Sequence, residues 1–288
     1  MDENPSKGRV LIIAGSDSSG GAGLQADIKT CAAFGAYSMT AVTAITVQNT
    51  LGVQQVELIS AELVRAQIRA CLSDIGADVI KIGMLGDEAI IEAVADEIAD
   101  SEAFVILDPV MVATSGDTLL NEGGIEVLKS RLIPVADVLT PNVPEAKMLT
   151  GIEIDDVDSL TAAGQALLDM GLYAVLMKGG HLEGNTVVDV LVTEEGASMM
   201  SGPRIRTRHT HGTGCTLASA LAAGLSLDVP LEQAVLAARE FVYEAIRTAP
   251  KLGQGNGPLN HGLVSLDADK EAPQTDDASN PFSVLKDL

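Results

Sequence analysis

The residue pattern predicts an α/β domain built on a central, mainly parallel sheet with helices on both faces. Three observations carry that expectation. Short apolar runs alternate with longer stretches of helical period, the spacing of βαβ units with right-handed crossovers. Hydrophobic residues make up 47% of the 288 positions but aromatics only 2%, with no Trp, so the core must be aliphatic, as buried parallel strands require. No repeat and no linker divides the body of the chain, and its length suffices for one α/β domain.

The elements follow in order. Residues 9–14 read as a strand, 23–34 as a helix ended by Gly35, and 39–47 as a second strand. Ser60 is placed to cap a helix running to about Ile75, and the strand 78–82 comes next. Asp87 starts a further helix, and 104–107 is a wholly apolar strand that stops at Asp108. Strands also end at 139–141 and at 173–177, the latter before Lys178-Gly179-Gly180. Residues 187–193 and 197–200 flank Glu194-Glu195-Gly196 as a hairpin, and helices over 213–227 and 231–248 are parted by Pro230. Composition changes after Leu266. The folded domain is expected over 1–266, with 267–288 an acidic, disordered tail that lacks apolar periodicity.

Charge and composition exclude several roles. Eighteen basic against 40 acidic residues leave a net −22, whereas a nucleic-acid binder clusters Lys and Arg. Aromatic stacking platforms for single strands are missing, and the same negative field repels anionic membranes. The longest apolar runs, such as 10–14 and 104–107, are too short to span a bilayer, and residues 1–7 lack the apolar core of a secretory signal. Cys31, Cys71 and Cys215 are odd in number and widely spaced, which speaks for a reducing, cytoplasmic setting without disulfides.

In an open α/β sheet, ligands bind beyond the carboxyl ends of the strands. Four glycines fall among residues 15–23, after the first strand, where they permit tight turns and close approach of a ligand to the backbone. Gly21-x-Gly23-x-x-Ala26 matches a dinucleotide fingerprint, but no Asp or Glu occurs between Asp27 and Glu57 to bind a ribose, and no phosphate-binding G-x-x-x-x-G-K-[ST] loop is present. The turn His211-Gly212-Thr213-Gly214-Cys215-Thr216 opens an apolar helix, so its amides and the positive dipole end face an anion. Cys215 falls in that first turn, where the same field is expected to lower its pKa and favour thiolate. Asp108 and Glu145 are candidate carboxylates for a hydrated Mg²⁺, and Lys178 is placed as a cation for a transferring phosphate. No histidine has zinc-site spacing.

These residues resemble a known family. The run AGSDSSGGAGLQADIKT over 14–30 is similar to the N-terminal signature of hydroxymethylpyrimidine/phosphomethylpyrimidine kinases. So are Lys81-Ile82-Gly83-Met84-Leu85, Asp108-Pro109-Val110-Met111-Val112-Ala113, Thr140-Pro141-Asn142-Val143-Pro144-Glu145-Ala146, Lys178-Gly179-Gly180-His181 and the 211–216 turn. The resemblance runs in order from about Arg9 to His261. It implies a ribokinase-like fold, a homodimer, and ATP-dependent phosphorylation of the thiamine pyrimidine precursor, first at its hydroxyl and then at the new phosphate. It further implies a pyrimidine held near Gly15, Asp27, Gln48, Met84 and Val110, the carboxamide of Gln48 reading the aminopyrimidine edge. Asn142 and Lys178 would meet the nucleotide, Asp108 and Glu145 its Mg²⁺, and Gly212, Thr213 and Gly214 would form an anion hole. Cys215 would stand as general base where most of the superfamily has Asp. Residues 252–258 depart from the family pattern, which has a histidine near Gln254.

Three other readings stay open on the residues. A pyridoxal kinase would bind a similar planar ring bearing a hydroxymethyl group. A cysteine hydrolase or transferase would use Cys215 as nucleophile with His209 or His211 as base and would need no ATP. A silent binding protein would hold the ring without turnover.

Overall fold

The computed structural model describes residues 8–112 and 119–262. Nine strands form one sheet: β1 (Arg9–Asp17), β2 (Tyr37–Asn49), β3 (Gly52–Leu58), β4 (Val79–Ile82), β5 (Phe104–Leu107), β6 (Val138–Leu139), β7 (Ala174–Met177), β8 (Thr186–Thr193) and β9 (Gly196–Pro203). Their spatial order is β3-β2-β1-β4-β5-β6-β7-β8-β9. From β2 to β7 every pairing is parallel, while β3, β8 and β9 add antiparallel edges. The order reverses beside β1, where the chain goes first to β2 on one side and later to β4 on the other.

Side-chain alternation divides the core in two. Leu11 and Ile13 of β1, with Ile80 and Ile82 of β4, pack on one face against α2 (Ala61–Asp74), α3 (Glu88–Ile98), α5 (Val143–Thr150) and α6 (Val157–Leu168). Val10 and Ile12 point to the other face and meet α1 (Gly23–Ala33), α7 (Thr213–Ser226) and α8 (Leu231–Arg247). Each fully buried Ile or Leu contributes on the order of 1.5–3 kcal/mol. The central strands are apolar on both faces because both faces are covered. Burial of Ala218, Ala220, Ala222 and Ala223 lets α7 lie close to its neighbours, and a Cβ on Gly224 would come 3.1 Å from that of Ala234 on α8.

Helix starts agree with the expected caps. Ser60 accepts from the Leu63 amide and Asp87 from that of Ile90, each satisfying a first-turn donor. Gly35 takes φ +80 just past α1, the left-handed turn that ends it. The structure adds β3, α4 (Glu122–Val127) and α6 to the expected elements. A Pro-containing turn, Ile133–Val135, ends the helical stretch that follows α4. Among the described residues no helix is long and apolar enough to cross a membrane. The acidic tail expected over 267–288, and Thr114, Ser115 and Gly116 of the loop after Asp108, lie outside the described residues.

Candidate active site

The carboxyl ends of β1, β2, β4, β5, β6 and β7 meet the N-terminus of α7 around a cavity of about 610 Å³. Its lining includes Gly15, Thr46, Gln48, Met84 and Val110, Lys81 and the 212–215 turn, Asp108, Asn142, Glu145 and Lys178, and Val187, Ile205 and Val242. Residues from strand ends and helix starts thus line one cavity, as the rule for open sheets anticipates.

The glycine-rich loop is organised around a carboxylate that the sequence did not single out. Asp17 Oδ1 accepts from the Ser19 amide and hydroxyl, both at 2.8 Å. Its Oδ2 accepts from the amides of Gly21 (3.1 Å) and Ala22 (2.8 Å) and meets His211 Nε2 at 2.8 Å. Burial works to raise this carboxyl, but the bonds from His211, Ser19 and the Ala22 amide overcome it and hold it at about 2. The loop's amides are therefore spent on an internal anion. Its glycines serve close packing as well as ligand access: a Cβ at Gly21 would strike the His211 ring, and one at Gly212 would strike the Gly21 carbonyl. Gly15 and Gly23 line the cavity, where a ligand could approach the backbone.

Gly212 caps α7 from the left-handed region, at φ +84. Thr213 turns its amide (3.3 Å) and hydroxyl (2.5 Å) back to the Thr210 carbonyl. Gly214 and Cys215 come next in the first turn, where an α-helix has no carbonyl to offer its amides. A Cβ on Gly214 would lie 3.3 Å from Lys178 Nζ and 3.7 Å from Asp108 Oδ2, so the turn sits directly on the charged cluster.

Cys215 corrects one expectation. Burial, with Asp27 and Asp108 nearby, pushes its thiol up to about 11, although Lys81 and a hydrogen bond from the Gly23 amide pull the other way. Desolvation of the anion outweighs the helix dipole, and at neutral pH the resting group is a thiol.

Lys178 is not a free cation. Its Nζ lies 2.7 Å from Asp108 Oδ1 and 3.8 Å from Glu145 Oε2. Thr140 also donates to Asp108 Oδ1, at 3.0 Å. Against the pull of burial, Lys178 and Lys81 keep Asp108 below the usual carboxylate range. Burial pushes Glu145 up to about 7, with Lys178 opposing. Asn142 and Glu145 form a capping box on α5, Asn142 Oδ1 accepting from the Glu145 amide and Glu145 Oε2 from the Asn142 amide. The oxygen of Asn142 is thus committed to the helix, which leaves its NH₂ end for a ligand. Among the described residues no group of three or more His, Cys, Asp or Glu could enclose a metal. Asp108 and Glu145 offer two hard oxygen donors on the cavity wall, which suits a hydrated Mg²⁺ that takes its other ligands from phosphates and water.

Of the residues expected to hold the pyrimidine, Gly15, Gln48, Met84 and Val110 line the cavity and Asp27 does not. Asp27 lies beneath it, fully buried, with Lys81 Nζ at 2.9 Å on Oδ2 and the Ser219 hydroxyl at 2.6 Å on Oδ1. Both of its oxygens are occupied within the fold, so direct substrate contact by Asp27 is withdrawn. Gln48 is positioned at its Oε1 by the Thr46 hydroxyl, 3.1 Å away, and its Nε2 stands 3.5 Å from His211 Nε2. Sequence reasoning gave no role to Asp17, Lys81 or the Arg239–Asp189 pair (2.7 Å) on the cavity lining, and named His211 only as a base beside a nucleophilic Cys215. Only Lys81 carried a usable signal, a charge inside an otherwise apolar strand.

Comparison with known proteins agrees with this geometry. The family model described as phosphomethylpyrimidine kinase matches residues 17–260. A hydroxymethylpyrimidine/phosphomethylpyrimidine kinase of Streptomyces coelicolor is 46% identical over 253 residues, 88% of this chain and 94% of that one. The crystal structure of phosphomethylpyrimidine kinase from Clostridium difficile superposes with a TM-score of 0.74 at 41% identity, over 83% of this chain and 99% of the other. An ADP complex of Bacillus subtilis pyridoxal kinase gives a TM-score of 0.82 at 37% identity, covering 89% and 98%. The fold is ribokinase-like, and the chain belongs to the phosphomethylpyrimidine kinase family.

Proposed function

We propose that this chain phosphorylates 4-amino-5-hydroxymethyl-2-methylpyrimidine with ATP, first to the monophosphate and then to the diphosphate, in thiamine biosynthesis. One observation carries the reading: a single cavity joins the Gln48 end, the amide turn of α7, and the Lys178–Asp108–Glu145 cluster. Acceptor, transferring phosphoryl group and triphosphate thus have contiguous places. Phosphoryl transfer demands chiefly such positioning and neutralisation of charge.

In this reading Gln48 presents both a donor and an acceptor to the aminopyrimidine edge, with Met84 and Val110 against the ring. The amides of Gly214 and Cys215 hold the transferring group. Asp108 and Glu145 would hold a hydrated Mg²⁺, which would supply charge neutralisation on the phosphates. Lys178, now paired with Asp108, turns to the transferring phosphoryl group once the nucleotide is loaded. Apolar Val187, Ile205 and Val242, also on the cavity lining, take the base of the nucleotide. Cys215 as thiolate accepts the hydroxyl proton while the new P–O bond forms and the bond to ADP breaks. In the second step the acceptor is a phosphate already ionised near neutrality, so that step leans less on a base.

We further infer a homodimer through the β2–β3 hairpin, which exposes Ile45, Val47, Leu51, Val56 and Leu58. The free cysteines, with Cys31 fully buried, suit a cytoplasmic enzyme. A pyridoxal kinase is the second reading, favoured by the overlap with the Bacillus subtilis enzyme. Coupled assay of ADP release with hydroxymethylpyrimidine, its monophosphate and pyridoxal decides between them. Turnover of pyridoxal alone, or of none of the three, would overturn the proposal.

A further inference from the structure

Lys81 places an ammonium in the middle of β4, whose other residues, Val79, Ile80 and Ile82, are buried hydrophobics. Its side chain is fully buried, and Asp27 is its ion-pair partner. Taking two charges out of water costs several kcal/mol per ion, and well-packed apolar residues would serve stability at least as well. Nothing in the mechanism above uses this pair.

Its surroundings point to a use. Ser219, which donates to Asp27, follows Cys215 by four residues on α7. Residues four apart share one face of a helix, so thiol and hydroxyl look the same way, the thiol one turn nearer the cavity. Lys81 and Cys215 both line the cavity. Gly83 leaves room for it, since a Cβ there would lie 3.0 Å from Nζ. Asp27, Lys81 and Ser219 come from α1, β4 and α7, and together they fix one ammonium beneath the first turn of α7.

We propose that Lys81 is a positioning cation for Cys215, held in place by Asp27 and Ser219, that compensates the negative charge of the thiolate accepting the substrate's proton. The proposal rests on the reading of Cys215 as the base. The charged groups facing Cys215 are Asp27 from α1, Lys81 from β4, Asp108 after β5 and Lys178 after β7. The two carboxylates oppose its ionisation, and Lys81 favours it. Lys81 keeps its own proton: burial works to strip it, but Asp27 above all, with Cys215 and Asp108, holds it on.

The members of the pair act on Cys215 with opposite sign, and Lys81 must outweigh Asp27 for the pair to favour the thiolate. The readout is alkylation of Cys215 by iodoacetamide in the full chain, resolved by peptide mass. Below the thiol's midpoint the rate is proportional to the thiolate fraction, so one measurement at about pH 8.5 suffices. Lys81→Met/Asp27→Asn removes both charges without leaving either alone. It should slow alkylation about tenfold and lower kcat of the first phosphorylation similarly, with KM for the pyrimidine and the second phosphorylation little changed. Lys81→Arg, whose guanidinium keeps its charge, should retain part of the rate, and Lys81→Arg/Asp27→Asn, which keeps the cation and removes the carboxylate, should alkylate faster than Lys81→Arg. Wild-type alkylation and kcat in the double variant would overturn the proposal. Should that variant fail to fold, slower or unchanged alkylation in Lys81→Arg/Asp27→Asn relative to Lys81→Arg would overturn it equally. Cys215→Ala separates the underlying reading: undiminished turnover there removes the base assignment, while the alkylation rates still report on Lys81.

Discussion

Asp17→Asn tests how the two glycine turns are tied together. Asp17 takes donors from Ser19, Gly21 and Ala22 within its own loop and contacts His211 just before the α7 cap. Asparagine keeps the shape, but one end becomes an NH₂ facing groups that themselves donate. In the folded chain the carboxyl titrates at about 2 against an ordinary 3.8. At about 1.4 kcal/mol per pH unit, that difference stabilises the fold by about 2 kcal/mol. The folded value is the lower one, so the contribution is complete above the ordinary value and is lost as pH falls toward the folded value. Urea unfolding should show a gap between wild type and variant of about 2 kcal/mol at about pH 7, narrowing at about pH 3. Turnover should fall as well, because Gly212 loses its tether to the Gly21 loop. A gap below about 0.5 kcal/mol at neutral pH, or one that does not narrow in acid, would refute the assignment of Asp17 as the internal anion.

Cys215→Ala should bind pyrimidine and nucleotide normally yet lose about 10²–10⁴-fold in the first phosphorylation, and Cys215→Asp should recover part of it. With the thiol at about 11, the first-step rate should climb with pH through the neutral range, since only the deprotonated form accepts a proton. A flat profile, or a covalent adduct on Cys215 in intact-mass spectra during turnover, would count against the base. Lys178→Ala should lower turnover with modest loss of pyrimidine affinity, and excess chelator should abolish activity. Full activity in either experiment would remove the mechanism. Gln48→Leu should weaken pyrimidine binding about tenfold to a hundredfold by calorimetry, because an unpaired polar edge in a desolvated pocket costs about 1–3 kcal/mol. Equal affinity would place the ring elsewhere.

Much of this molecule is readable without coordinates, for local physical reasons. A run such as Phe104–Leu107 has no polar side to show to water, so it must be a strand covered on both faces. Ser60 and Asp87 announce helix starts because their caps act within three residues. Gln48, Met84, Asp108, Glu145, Lys178 and Cys215 stand at or just past strand ends or in a helix's first turn, and an open sheet gathers such positions at one edge. β3 escaped notice because its residues are mostly exposed, with neither face buried enough to impose alternation.

Partnership and ionisation were decided elsewhere. Asp27 looks like a site residue in its motif, but its partners Lys81 and Ser219 lie 54 and 192 positions away, and only their approach reveals that it is buried beneath the cavity. Asp17 became an anchor through His211, 194 positions distant. Cys215 shows the difference most directly. A local view sees a helix dipole that favours thiolate. The assembled site adds desolvation and the charges of Asp27, Lys81 and Asp108, brought from three other segments, and the sum favours the thiol. Backbone preference and apolar burial act over a few residues and are written in order along the chain, whereas electrostatics depends on distance in space and on the loss of water, which the packed tertiary structure alone sets.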